Sequence, residues 1–267
     1  MHRLVRCALE SAGVVALSFS VHATTVTIGA SKDNTIYSDQ PDASNGIGNG
    51  IFIGETADSS GSEWRRGLIS FNVAANVPAG ATINSASLTL FAAKGRQITA
   101  TNIDLFKATT NWGEGTSDAI NNPLPGSGSG GGGGAAATNG DATWNDAVYN
   151  ALASSVTPWT NPGGDFVGAP SSTATITVTG VTYTWTSTAK MIADVQSWLN
   201  APSSNFGWVL RGNEASIGSA RRFDSRESPT ASHQPALVIS YTEAPEPASL
   251  ALLGAAALGL TARRRKI

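Results

Sequence analysis

Between residues 24 and 241 the apolar residues fall in short runs, most of them alternating with threonine, serine or another polar residue. TTVTIG (24–29), NTIYS (34–38), GIFIG (50–54), LISFNV (68–73), SASLTLFAA (85–93) and NIDLFKA (102–108) form a first group. ATITV (174–178), VTYTW (181–185), GWVLRG (207–212), ARRFDS (220–225) and PALVISY (235–241) form a second. β-Branched and aromatic side chains fill these runs, and Gly, Asn, Asp and Pro punctuate them, as in strands bounded by turns. So many short strands predict an all-β fold, a sandwich or barrel.

Two stretches break the period of two. In STAKMIADVQSWLNAP, Met191, Ile192, Val195, Trp198 and Leu199 make one stripe at 3.6 residues per turn, which predicts a single short amphipathic helix. Ser187 is placed to cap its start, Pro202 lies just past its end, and Trp198 on the stripe reads as core. The glycine-rich loop, residues 123–140 (PLPGSGSGGGGGAAATNG), reads as a flexible surface insertion. Glycine loses the most backbone entropy on ordering and offers no side chain to bury. No Gly-Lys-Ser/Thr follows it, so it is not a phosphate loop.

The two ends carry longer apolar segments. At the start, basic MHRLVR precedes an apolar run from Cys7 to Ser20 and the small-x-small triplet Val21-His22-Ala23, the order of a signal peptide over 1–23, which predicts export and a mature chain from Thr24. At the other end, Ala248 to Ala262 has 15 residues without a charge, about 22 Å as a helix, followed by Arg263, Arg264, Arg265 and Lys266. That is somewhat short for a bilayer. The basic stems snorkel to the cytoplasmic side, and the rest of the chain is left outside.

Charge and composition narrow the function classes. Residues 24–243 hold 11 Lys+Arg against 17 Asp+Glu, a formal charge of −6, with no basic run, which argues against a nucleic-acid partner. The only cysteine, Cys7, lies in the export signal, so the mature chain has no disulfide or cysteine ligand. A single histidine, His233, remains there, without a G-x-S-x-G or HExxH motif. The acids fall at turns and strand ends, so an enzyme is the minority expectation.

Pro245-Glu246-Pro247, Ser249-Leu250, Leu252-Leu253-Gly254, Ala257-Leu258-Gly259-Leu260 and the cluster Arg263, Arg264, Arg265 resemble the PEP-CTERM sorting signal of Gram-negative bacteria that export polysaccharide. The resemblance covers 244–267 and implies a transmembrane sorting helix that is held transiently in the inner membrane. An exosortase-type protease then cuts near the Pro-Glu-Pro site, and the protein passes to the cell surface or extracellular matrix.

The residues between the two signals carry a second resemblance. Asp33-Asn34-Thr35-Ile36, Asn45-Gly46, Ile51 to Gly54, Arg66 to Asn72, Pro78 to Ile83 and Ser85 to Leu90 are similar to the opening of the DNRLRE domain, also assigned as carbohydrate-binding module family 96. Asn111 to Gly115, Ala142 to Trp144, Gly163 to Phe166, Val195 to Leu199, Asn205 to Gly207 and Phe223 to Glu227 continue it in order. The string DNRLRE itself does not occur, and the glycine tract sits where that family has a compact loop. The resemblance implies one domain, 24–243, folded as a jelly-roll-like antiparallel β-sandwich of the kind found on secreted and surface proteins.

Three sets of residues are candidates for binding. Trp112, Trp144 and Trp159 lie in loop-like sequence, where an exposed indole offers a stacking face to a sugar and a buried one plugs the end of the sandwich. Arg65, Arg66, Arg221, Arg222 and Arg226 are placed either to pair with Asp224 or Glu227 or to fork onto uronate carboxylates. Asp33, Asp39, Asp42, Asn45 and Asn49 offer hard oxygens for a structural Ca²⁺, and Asx turns account for the same composition. The function expected is binding or organising extracellular polysaccharide. The alternatives are a structural matrix protein without a sugar site and a polysaccharide lyase or glycosidase.

Overall fold

The structure, a computed structural model, describes residues 22–57, 63–95, 99–127, 130–152 and 156–244. Residues 1–21 of the expected export signal and 245–267 of the sorting segment, with its expected membrane helix, lie outside the described residues. Among the described residues no helix is long and apolar enough to cross a membrane.

The chain is mostly β, with one α-helix. Strands β1 (Ala23–Gly29), β2 (Lys32–Tyr37), β3 (Ala43–Ser44), β4 (Gly50–Glu55), β5 (Trp64–Ser70), β6 (Thr82–Gly95) and β7 (Thr101–Lys107) come first. Short β8 (Ala135–Ala136), β9 (Asp146–Val148) and β10 (Thr157–Pro158) follow, then β11 (Ser172–Ile176) and β12 (Val181–Trp185). Helix α1 (Ala189–Asn200) precedes β13 (Trp208–Arg211), β14 (Arg221–Asp224) and β15 (Ala236–Thr242). Each of the eleven runs expected as strands forms one. LISFNV begins earlier, at Trp64, and stops at Ser70.

All strand pairs are antiparallel. The main sheet runs β1-β15-β6-β14-β4-β5-β13-β7-β11, with β12 added to β6 and β2 to β5. It curls at β4, where Gly50–Ile53 pair with β14 and Gly54–Glu55 pair with β5. Gly54 makes the crossing at φ +111°, a region that a Cβ disfavours. The curl folds two halves over one core in a sandwich-like arrangement. Leu88, Leu90, Phe223, Leu237 and Ile239 from one half meet Ile69, Ile103, Leu105, Trp208 and Leu210 from the other. Trp198 packs edge-on to Trp208 at 4.5 Å between centroids.

Period two also explains why part of the sheet is buried on both faces. In β5 Ile69 enters the main core while its neighbour Leu68 points the other way, and in β13 Val209 does the same between Trp208 and Leu210. Leu68, Val209 and Ile36 of β2 are fully buried because the long connections between β7 and β11 lie over that face. A second hydrophobic cluster forms there.

A bulge resets the alternation in β6. Ile83 is buried and so are Ala86, Leu88, Leu90 and Ala92, which requires one extra residue between them. The register with β15 shifts where Tyr241 faces Ile83 and Ser240 faces Ser85, leaving Asn84 unpaired in the ladder. Its Nδ2 donates to Thr242 Oγ1 at 2.9 Å.

The helix begins one residue later than its expected cap. Thr188 Oγ1 accepts from Met191 N at 3.0 Å, and Ser187 Oγ instead takes Ala86 N of β6 at 3.1 Å. The stripe buries Met191, Val195, Trp198 and Leu199, with Ile192 half-buried against them. Asp194 is buried on the same face because it accepts from the Trp208 indole at 2.9 Å.

The glycine-rich segment corrects its own expectation of a flexible surface insertion. Its second part is packed: β8 pairs with β3, Tyr37 Oη donates to Gly131 O at 3.0 Å, and Arg65 Nε donates to Gly132 O at 2.7 Å. Gly131 and Gly134 have φ of +83° and +81°. A Cβ on Gly134 would sit 2.7 Å from that of Ala43. Glycine is used here for close backbone approach as well as for turning.

Candidate functional site

The loop tryptophans are not stacking platforms. Trp112, Trp144 and Trp159 are only 1%, 9% and 5% exposed, and all three belong to the cluster over the outer faces of β2, β5 and β13. Each indole is tied down: Trp112 Nε1 donates to Phe206 O at 2.8 Å, Trp159 Nε1 to Thr143 O at 2.9 Å, and Trp144 lies 4.8 Å from the Arg66 guanidinium. Their loops are glycine-rich because the backbone must fold back over the sheet. Apolar area of this size is worth more against Leu68 and Val209 than in water.

The arginines are likewise spent inside the domain. Arg65 pairs with Asp39 and lies over the Tyr37 ring at 4.9 Å, and Arg66 grips Glu214 with Nε and Nη2 at 2.6 and 2.9 Å. Arg221, 2% exposed, reaches the carbonyls of Thr99, Gly218, Ser219 and Ala220. Arg222 holds Asn49 at 2.7 Å and faces Asp224 at 3.6 Å. Arg226 is the most open of the five, with its side chain 36% exposed, and it grips Glu114 at 2.7 and 2.8 Å and Glu227 at 2.9 Å. A guanidinium that already forks onto a carboxylate has little left for a uronate.

The candidate calcium ligands are engaged elsewhere. Asp39 is on Arg65, Asn49 is on Arg222, and Asp42 is exposed. Asn45 accepts from Ala119 N at 2.8 Å and donates to Gly50 O at 2.7 Å. Asn34 accepts from Thr35 N, Ser44 Oγ and Asn45 N, so amide side chains stitch this segment together. Among the described residues no group of three acidic or histidine side chains is placed to hold a metal ion. The residues present do not fit a calcium site.

Asp33 is fully buried on β2. Its Oδ2 accepts from Arg226 N at 2.9 Å, and its Oδ1 has no partner. Burial pushes this carboxyl well above the usual range, and the charges of Glu227 and Glu114 push the same way. Lys32 beside it sits 4.1 Å over the Trp112 ring and donates to Trp112 O, with its pKa lowered to about 8 by burial. His233, the single histidine after the export segment, stacks on Phe91 at 3.5 Å and contacts Asp224 at 3.0 Å. Ser228 Oγ donates to that same Asp224 oxygen at 3.2 Å. The carboxylate is therefore the hub, and the serine-to-histidine-to-carboxylate order of a triad is unmet.

A cleft among the described residues brings two sequence candidates, Asp39 and Arg65, together with residues that no sequence pattern singled out. It has a volume of about 820 Å³ and opens between Asp39 and Gln40 after β2, Thr56, Ala57 and Glu63 between β4 and β5, and Leu124–Ser127 with Gly132 and Gly133 of the glycine-rich segment. Arg65 forms part of its lining, held by Asp39 and Gly132 O. A smaller hollow of about 310 Å³ shares Thr56 and Ala57 with it and reaches Lys94, Gly95 and Arg222. The glycine tract was the one sequence signal for this wall.

The cleft lies far from the point where the chain leaves the fold. Lys94 and Gly95 end β6, and Thr82, at its start, pairs with Thr242 of β15, which in turn pairs with Ala23 of β1. The 14 residues of β6 span about 40 Å. No curated protein matches the chain. Residues 243–266 match the PEP-CTERM protein-sorting motif, beginning at the residue after β15. The motif implies an exported protein that is anchored transiently through this segment and processed by an exosortase. The chain thus carries a PEP-CTERM sorting signal directly behind a curled antiparallel β domain.

Proposed function

We propose that this is a non-catalytic surface module that binds extracellular polysaccharide in the cleft beside the glycine-rich segment. The observation that carries the reading is the makeup of that cleft. The Gln40 amide, with the carboxylates of Asp39 and Glu63, whose bonds to Arg65 and Thr56 leave lone pairs to accept from hydroxyls, stands around a glycine-lined wall on a protein bearing a surface-sorting signal. Carboxylates and amides accept and donate to vicinal hydroxyls, and glycine lets a sugar ring lie close to the backbone. The Arg65 charge is neutralised by Asp39, so a neutral glycan suits the site better than a uronate. The resemblance of residues 24–241 to a carbohydrate-binding module, and to its jelly roll, supports the same reading.

Calorimetric titration of the released protein against a neutral glucan, alginate, pectin and the host's own exopolysaccharide tests it. The neutral or host glycan is expected to bind, and Gln40→Ala should weaken binding about tenfold, equivalent to ~1.4 kcal/mol. Silence on all four glycans would favour a structural matrix protein. New reducing ends or unsaturated products in the cell would favour a lyase or glycosidase.

A further inference from the structure

We infer that the smaller hollow beside the cleft seats an acyl substituent, so that the glycan taken is an O-acylated one; this rests on the proposed binding of a glycan in the cleft. The two cavities adjoin. Thr56 and Ala57 line both of them. Phe52 of β4 lines the hollow, and its ring lies against the glycine-rich segment that walls the cleft: a Cβ on Gly131 would sit 3.2 Å from that ring, and one on Gly132 3.9 Å. A substituent on a sugar held in the cleft therefore has a short route into the hollow.

Polarity decides what the hollow takes, because most of its hydrogen-bonding groups are already used. Gly218 N and Ala220 N donate to Thr56 O and Glu55 O at 2.8 Å, and Thr56 Oγ1 donates to Glu63. The Arg221 guanidinium is spent on four backbone carbonyls, and Arg222 Nη2 on Asn49. What remains is the Phe52 ring, the methyls of Ala57 and Ala220, and Lys94, which faces Arg222 across the ladder of β6 and β14. Lys94 is exposed, and its ammonium has no partner among the described residues. A bare sugar ring brings several hydroxyls, and each one buried here would lose its bonds to water and gain none. A carboxylate would be desolvated in an apolar hollow with one exposed lysine to offset it, since Asp224 at 3.6 Å already faces Arg222. An acetyl ester avoids both costs. Its methyl gains by burial against Phe52, Ala57 and Ala220, and its single carbonyl accepts from Lys94 Nζ at the rim.

The test is calorimetric titration of the released protein with three probes: a soluble neutral glucan, the same glucan partly O-acetylated, and the same glucan O-succinylated to an equal degree. The acetylated form should bind at least fivefold tighter than the unmodified one, and the succinylated form no tighter than the unmodified one. Ala220→Leu, which fills the hollow, should bring the acetyl advantage below twofold, and Lys94→Met, which keeps the stem and removes the donor, should at least halve it. Both variants should bind the unmodified glucan as the wild type does, whereas Gln40→Ala should weaken both glucans alike. Acetylated and unmodified glucan binding within twofold of each other overturns the inference and leaves the reading of the cleft standing. So does a succinylated form that binds tighter than the acetylated one, or an acetyl advantage that Ala220→Leu and Lys94→Met both leave intact. If Ala220→Leu fails to fold, Lys94→Met and the succinyl comparison decide. Silence toward both unmodified and acetylated glucan overturns the cleft reading and this inference with it. Binding of the acetylated glucan alone, lost in Ala220→Leu, upholds the hollow and overturns the cleft as the seat of an unmodified chain.

Discussion

At the scale of single residues, burial decides between two roles that the same side chain can play. Trp112 in a glycine-rich loop has the local sequence of a binding platform, and 1% exposure makes it core. Trp112→Ala should therefore destabilise the domain by about 3–5 kcal/mol, measured by urea unfolding, instead of weakening a ligand. Asp33 gives a pH signature. Its folded pKa lies above the unfolded value of about 3.9, so the native state holds the proton longer than the unfolded chain. Stability is then full below about pH 4 and falls as pH rises through the folded pKa, with a slope of up to ~1.4 kcal/mol per unit. Asp33→Asn keeps the neutral shape between Glu114, Arg226 and Glu227 and should flatten that slope in unfolding titrations from pH 4 to 8.

At the scale of elements, the glycine-rich segment departs most from its composition. A free loop could be shortened at a cost set by (3/2)RT ln n, a fraction of a kcal/mol. Here the segment supplies the acceptor for the buried Tyr37 hydroxyl, a carbonyl for Arg65 and a partner strand for β3. Removing residues 128–137 should cost on the order of 2–4 kcal/mol, since each unsatisfied buried group costs about 1–3 kcal/mol. A midpoint unchanged in thermal unfolding would show that the segment is dispensable. Gly134→Ala should reproduce part of the loss, because its φ of +81° and its contact with Ala43 both oppose a Cβ.

At the scale of the whole molecule, β6 sets the geometry of presentation. It runs from the pole where the chain exits, at Thr82, to the hollow next to the cleft, at Lys94 and Gly95. Residues 67–93 and 195–210 contain no Asp, Glu, Lys or Arg, and Lys94, Arg221 and Arg222 gather at the end of β6 away from Thr82. On the proposed function, precursor in membrane vesicles and released protein should bind the same glycan with dissociation constants within about threefold, corresponding to ~0.6 kcal/mol. Loss of binding in the anchored form would place the cleft on the wrong side.

The sequence alone determined the eleven long strands, the helix and the sorting segment, because each is written in a local period or a contiguous motif: two residues, 3.6 residues, or Pro-Glu-Pro before an apolar run and arginines. Its punctuation also marked the turns. Only the tertiary structure decided which loops are core. Whether Trp144 faces water or Leu68 depends on a connection folding back over β5, and no local pattern encodes that return. The same holds for Asp39, Asn45 and Asn49. Their residue types suit a cation, but their oxygens are claimed by Arg65, Ala119 and Arg222, partners 26, 74 and 173 positions away. Side-chain chemistry is local, whereas its availability is set by long-range packing, and that is why the fold was legible before the site.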